Sequence, residues 1–160
     1  MIIFWRLILS HLLADFTLQF DSVVRLKRKH MWGMLVHCLT HFVVSVALTW
    51  PYLGDTWFTV AGAGVNGWGA LAIMLAVHFL VDQLRVYSMK SLGYKDNTLS
   101  FLVDQALHFY VLFMIAPVVV PEPGALMGEK WAAIASMVVL VTHFTTVLIY
   151  FVEKDLFGKA

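Results

Sequence analysis

Five apolar segments constrain this chain more than any other feature of its sequence. They lie at 2–20, 31–52, 68–89, 99–120 and 131–152. A helix of about 20 residues is long enough to cross a hydrocarbon core of about 30 Å. Because lipid offers no hydrogen-bonding groups to a backbone, each segment must satisfy its own peptide groups. The sequence therefore predicts an all-α integral membrane bundle of five transmembrane helices, forming a single transmembrane domain over 1–160.

Composition agrees with this prediction and excludes one class of partner. Hydrophobic residues make up 61% of the chain and charged residues only 13%. The formal net charge of +1 lacks the strong basic excess that is typical of proteins that bind nucleic acid. We therefore expect membrane lipids as partners, with a homodimer or a larger membrane complex as the further expectation, and no nucleic acid.

Basic residues between the segments predict the orientation. The run 25–30 and the region around Lys90 and Lys95 are basic, whereas the intervening loop carries only Asp55. The positive-inside rule then places the N-terminus outside and the C-terminus in the cytoplasm. The basic run is interpreted as a topology signal, and Arg6 is expected to extend to the outer surface. No serine or arginine is expected to serve as an oxyanion or headgroup binder at the depth of a buried site.

Histidines and aspartates lie inside these apolar segments in regular pairs. The pairs are separated by four residues, which places both side chains on one face of a helix. They are His11 and Asp15, His37 and His41, His78 and Asp82, and Asp104 and His108. Ionisable groups at bilayer depth are costly and usually mark a functional site. His143, in the fifth segment, is the remaining candidate for the same layer.

The four pairs also repeat along the chain. Each residue of the first two pairs lies 67 positions before its counterpart in the last two, and Leu13, Leu35 and Phe42 recur at the same offset. This predicts a tandem repeat of two helical hairpins, at about 5–50 and 72–117, followed by a fifth helix at about 131–152. Repeated halves in membrane proteins commonly place the site at their interface.

The donor set predicts a metal site. Imidazole nitrogens and carboxylate oxygens suit transition metals better than calcium or magnesium, which prefer oxygen alone. We expect one or two ions, zinc first, with iron or manganese as alternatives. The predicted ligands are His11, Asp15, His37, His41, His78, Asp82, Asp104, His108 and His143.

Three functions fit such a site. The favoured hypothesis is a metal-dependent hydrolase acting on a lipid or a membrane-embedded substrate, with Asp104 or Asp82 as the general base. The alternatives are a transporter of divalent metal or protons, and a non-catalytic subunit of a membrane complex. Gln19, Gln83 and Gln105 are candidates to orient the ligands.

The segment HLLADFTLQ at 11–19, followed by a basic stretch and a second span with histidines, resembles a family of small bacterial membrane proteins catalogued as domain of unknown function 3307. HFLVDQLRVYSMK at 78–90 and DQALH at 104–108 fit the same pattern. The resemblance implies an integral membrane protein of a bacterial inner membrane and carries no activity with it. The membrane His-x3-Asp pairs are also similar, more remotely, to those of integral-membrane metal-dependent hydrolases, including the ceramidase-like superfamily. That likeness is one of chemistry.

Overall fold

A computed structural model describes residues 2–117 and 128–158, and helices account for most of them. The helices are α1 (Ile2–Leu12), α2 (Asp21–Lys29), α3 (Met31–Thr49), α4 (Gly67–Ser91), α5 (Thr98–Ile115), α6 (Glu129–Val139) and α7 (Thr145–Phe157). π-Helical turns extend α1 over Leu13–Thr17 and join α6 to α7 over Leu140–Phe144. A 3₁₀ turn, Trp50–Tyr52, follows α3.

The prediction of an all-α membrane bundle is confirmed. Four of the described helices are long and apolar enough to cross a membrane, and a fifth span results if the bent pair α1 and α2 counts as one. The last span is longer than predicted, because α6 and α7 run together from Glu129 to Phe157. The predicted end of the fourth segment, at 118–120, lies outside the described residues.

Helix α1 forms the centre of the bundle. It packs against α3, α5 and α6, and Leu7 and Leu12 are fully buried. Small polar residues allow close approach: Ser10 Oγ lies 3.0 Å from Ser45 Oγ on α3. On its other side Ser136 Oγ of α6 donates to the Trp5 carbonyl at 3.4 Å. Small and hydroxyl-bearing residues are the usual contacts between helices in lipid.

Arg6 does not extend to the outer surface, so that expectation was wrong. Its side chain is fully buried, and NH1 donates to the Leu48 carbonyl at 2.8 Å. Its guanidinium also lies 5.1 Å from the centroid of the Tyr52 ring. A cation this deep in a bundle is stabilised by carbonyl and aromatic partners that the sequence pattern did not indicate.

Two elements were not predicted, and the first is a β-hairpin between α3 and α4. Strands β1 (Thr56–Val60) and β2 (Ala63–Asn66) pair in antiparallel fashion. Their turn uses positive φ angles at Ala61 and Gly62, which suit a two-residue hairpin. The hairpin covers the end of the bundle with Trp57, which is buried and donates from Nε1 to the Tyr52 carbonyl at 2.9 Å.

The second is α2, which replaces the predicted basic loop. It bends by 90° from the first span and folds back onto α3. Gly33 permits this approach, because a Cβ at that position would collide with the backbone of Leu26 and Lys27. We call the end of the bundle formed by α2 and residues 92–97 the basic end, and the opposite end the hairpin end.

Candidate metal centre

The four predicted pairs converge inside the bundle. All eight side chains are buried, with at most 8% of each residue exposed. They come from α1 and its π-turn (His11 and Asp15), α3 (His37 and His41), α4 (His78 and Asp82) and α5 (Asp104 and His108). The four-residue spacing works as expected here, because each helix presents its pair to a common interior.

Asp15 occupies the middle of this cluster. Its Oδ1 lies 3.1 Å from His37 Nε2 and 3.1 Å from His41 Nε2. Its Oδ2 lies 3.4 Å from His11 Nε2. Asp15 is within the π-helical turn Leu13–Thr17, and such turns are frequent at functional sites.

The second half of the chain joins the cluster through His78 and Asp82. His78 Nε2 lies 3.2 Å from His37 Nε2, and Asp82 Oδ2 lies 3.3 Å from the same nitrogen. The His41 and His78 rings are also close, with centroids 3.9 Å apart. His37 therefore links a carboxylate of each half.

His108 is the least satisfied member of the cluster. Its residue is 3% exposed, yet neither ring nitrogen has a hydrogen-bond partner among the residues that the structure describes. Its ring lies 4.3 Å from that of His78 and 5.1 Å from that of His11, between centroids. Leaving buried polar atoms unpaired is costly, so both nitrogens indicate a missing partner.

The residues present fit a transition metal. Three groups have ligand atoms all within 4.8 Å of one another. They are Asp15 with His37, His41 and His78; His11 with Asp15 and His108; and His78 with Asp82 and His108. In the first group the contacts of 3.1 to 3.2 Å are close to the edge of about 3.3 Å that a zinc tetrahedron requires.

Two cations approach the cluster, although no arginine was expected to serve as a binding group at this depth. Lys27 Nζ, from α2, lies 3.1 Å from Asp82 Oδ2. Arg85 NH1 lies 3.0 Å from Asp104 Oδ2. The sequence signal for Arg85 was present, since it follows Asp82 on α4 by three residues and therefore shares its face. The contact of Lys27 could not be predicted from the sequence, because it depends on how α2 folds.

Gln105 is confirmed as a hydrogen-bonding partner of the cluster. Its Nε2 donates to Asp104 Oδ2 at 3.1 Å and to Asp15 Oδ2 at 3.4 Å. Its Oε1 lies 3.2 Å from His11 Nε2. Gln19 instead donates to the backbone carbonyl of Asp15 at 3.0 Å. Gln105 thus connects the aspartates of α1 and α5.

His143 is not brought to the cluster, and its predicted inward position is corrected. It is exposed, and its Nδ1 lies 2.9 Å from Thr142 Oγ1. It belongs to the π-helical stretch Leu140–Phe144. One added residue rotates the following side chains by about 100°, which turns His143 away from the face where Ser136 contacts α1.

A cavity connects the cluster to the basic end. It has a volume of ≈ 470 Å³ and is lined by Asp15, Asp82 and Asp104 at the cluster and by Asp21 and Lys27 from the α2 side. Aromatic residues, Phe16, Phe101, Tyr150 and Phe151, line it as well. Towards the hairpin end the histidines line a void of ≈ 10 Å³ together with Met74, Val111 and Leu112. The larger of these two spaces therefore lies on the side of the basic end.

Comparison with known proteins places the chain in a family. No curated protein and no solved structure matches it. A family model does match, over residues 3–127, a range that contains all eight clustered side chains and confirms the resemblance carried by the segment 11–19. The chain belongs to the family described as protein of unknown function, DUF3307.

Proposed function

We propose that this protein is a metal-dependent hydrolase that acts on a lipid or another membrane-embedded substrate. One observation carries the proposal: a carboxylate and three imidazoles, Asp15, His37, His41 and His78, lie with their ligand atoms within 4.8 Å inside a membrane bundle. Burying so many polar groups in lipid is costly without an organising partner. A bound zinc ion would act as a Lewis acid and make water a nucleophile near neutral pH.

A second ion has its own supporting observation. His108 offers two unpartnered nitrogens and belongs to both remaining ligand groups, one with His11 and Asp15 and one with His78 and Asp82. Each group also contains a ligand of the first, Asp15 or His78, so these residues would hold a second ion close to the first, and paired ions are common in hydrolytic sites. Zinc is the favoured ion, and iron and manganese are the alternatives.

Asp104 is the proposed general base. Its Oδ2 is held by Arg85 at 3.0 Å and by Gln105 at 3.1 Å. Its Oδ1 is buried and has no hydrogen-bond partner among the described residues. Asp104 lines the cavity, and a carboxylate fixed through one oxygen keeps its other oxygen as a proton acceptor for an attacking water. Asp82 is the weaker candidate, since Lys27 and His37 both contact its Oδ2.

The cavity is suited to a hydrolase that takes its substrate from one side of the membrane. Here the polar cavity opens from Asp15 towards the basic end, whereas Met74, Val111 and Leu112 close the opposite side. A one-sided chamber with aromatic walls is suited to holding an amphiphilic substrate beside the ions.

Metal analysis of the purified protein tests the metal centre. The wild type should retain zinc after dialysis, and His41→Ala should lose it, because the variant removes one of the four ligands and one of the two imidazoles that lie 3.1 Å from Asp15 Oδ1. His143→Ala is the matched control, since His143 is exposed and outside the cluster. Equal zinc in all three proteins would contradict the proposal.

Hydrolysis is tested separately. Asp104→Asn should retain zinc while its turnover of a mixed lipid extract falls by about 10²- to 10⁴-fold, the usual contribution of a general base. Release of water-soluble or lipid products would be followed by mass spectrometry. Zinc retention without turnover by the wild type on any lipid class would contradict the hydrolase and leave only the metal centre.

A further inference from the structure

A second groove lies on the outside of the bundle, between α4 and α5. Its volume is ≈ 400 Å³, within the range of ligand pockets in proteins. Its walls are apolar and include Val81, Leu84, Val103 and Leu107. Both helices are membrane-spanning by length and composition, so the medium around these walls is lipid acyl chain.

The floor of this groove is the Arg85 and Asp104 pair. These two side chains are only 18% and 5% exposed, whereas Leu84 and Val103 on the walls are 53% and 51% exposed. The same pair lines the central cavity. A single ion pair with a 3.0 Å contact therefore separates the lipid-facing groove from the chamber that contains the candidate general base.

The rim at the basic end is polar and carries a positive charge. Lys95 and Tyr94 line the groove there, and both are exposed. An ammonium group at a membrane surface attracts anionic lipid headgroups, while the apolar walls below suit an acyl chain. The cation at the rim and the apolar walls below it match the headgroup and the acyl chain of an anionic glycerophospholipid with its headgroup at Lys95.

We propose that this groove binds one acyl chain of an anionic glycerophospholipid, and that such a lipid is the substrate presented laterally to the Arg85 and Asp104 pair. The inference rests on the proposed hydrolase function for the role of substrate, but the binding itself does not. Lateral entry explains why Asp104 is shared by the two spaces. Substrate would reach the chamber from the bilayer without passing through water.

Photo-crosslinking tests the groove without relying on the metal. Protein depleted of metal with a chelator would be reconstituted with phosphatidylglycerol carrying a diazirine in one acyl chain, and the labelled peptides mapped by mass spectrometry. Label should concentrate on residues of α4 and α5 that line the groove. Label spread evenly over all lipid-facing helices would overturn the proposal.

A variant in which a larger side chain fills the groove is compared with one in which the same side chain is added elsewhere. Val103→Trp places a large ring between the walls and should lower labelling of the groove by at least about tenfold. Val43→Trp is the control, because Val43 on α3 is 57% exposed and belongs to none of the described pockets that contain α4 and α5 residues. Unchanged labelling in Val103→Trp would contradict the site. Val103→Phe serves if the tryptophan variant does not fold.

The class of lipid is tested by comparing lipids with different headgroups and by changing Lys95 at the rim of the groove. Phosphatidylglycerol should label the groove about fivefold more than phosphatidylcholine, and Lys95→Gln should remove this preference. Equal labelling by both lipids, or stronger labelling by a free fatty acid, would overturn the assignment to an anionic glycerophospholipid. Zinc content should be unchanged in Val103→Trp and Lys95→Gln. Zinc loss in His41→Ala is measured independently of lipid labelling. The lipid groove and the metal centre can therefore be contradicted separately.

Discussion

The two halves of the polar cluster use the same residue types with different partners. In the first half the carboxylate of Asp15 contacts, among the described residues, three histidines and Gln105. In the second half Asp82 is paired with Lys27, and Asp104 is paired with Arg85. A carboxylate surrounded by imidazoles is available to a metal ion, whereas one already neutralised by an ammonium or guanidinium group is less so. The difference separates a half whose carboxylate contacts imidazoles from a half whose carboxylates are paired with cations.

The largest expected effect is a difference in zinc affinity between the variants Asp15→Asn and Asp82→Asn. Asp15→Asn should lower zinc affinity by more than about 100-fold, since Asp15 belongs to two of the three ligand groups. Asp82→Asn should lower it by about 10-fold, in the range of groups that only support a site. Isothermal titration of the metal-free proteins with zinc would measure both. Equal losses would show that the halves are equivalent.

Removing Arg85 should lower the stability of the folded protein, because Arg85 pairs with a buried aspartate of the second half. Arg85 contacts Asp104 at 3.0 Å and Asp96 at 2.9 Å, so Arg85→Met leaves a buried carboxylate unpaired, at a cost of about 3 to 5 kcal/mol. Thermal unfolding in detergent would measure this loss. Adding Asp104→Asn should recover part of it. Arg25→Met is the control, because Arg25 is exposed on α2 and should melt like the wild type.

The spans and the converging pairs could be predicted because their signals are local. Apolar length gives the spans, and four-residue spacing gives the face of each helix. His11 and His41 satisfied both criteria and lie in the cluster. The tandem repeat stays a prediction, and a superposition of 5–50 on 72–117 that places His11 on His78 would support it. The orientation also stays a prediction, and reporter fusions at Asp55 and Lys95 should report opposite sides.

The parts that could not be predicted depend on long-range packing. His143 has no histidine or aspartate four residues away, and a π-turn changed the face it occupies. Lys27 reaches Asp82 only because α2 folds onto α3. Arg6 is buried by carbonyl and aromatic partners from distant segments. A hydropathy pattern contains none of these contacts, since it describes one helix at a time.

A smaller effect is expected at the glycine that permits the α2 fold. Gly33→Ala adds a methyl group against the backbone of Leu26 and Lys27, so α2 must shift and the contact between Lys27 and Asp82 should weaken. We expect a loss of about 1 to 3 kcal/mol, as for other overpacked sites. Thermal unfolding and amine labelling of Lys27 would report it. Gly54→Ala, where a Cβ would meet nothing within 4 Å, should change neither measurement.

The smallest expected effect is a pH dependence at Asp96, which stabilises the basic end. Its carboxylate lies 2.9 Å from Arg28, 2.9 Å from Arg85 and 3.8 Å from Lys154. Burial raises the pKa of Asp96, but Arg28 and Arg85 outweigh burial and hold the pKa below its ordinary value. The folded state therefore gains stability from ionised Asp96 at any pH above the unfolded pKa of about 3.9.

That gain should disappear as the pH falls through the lower pKa of the folded state, because both states then bind the proton. The wild type should melt at a higher temperature than Asp96→Asn at neutral pH, by an amount equivalent to about 1 kcal/mol, and the difference should shrink below about pH 4. Lys154 is partly exposed, with 29% of its side chain accessible, so salt should reduce its share of the effect at neutral pH. A difference that stayed constant from neutral to acid pH would mean that Asp96 contributes through its shape or hydrogen bonds and not through its charge.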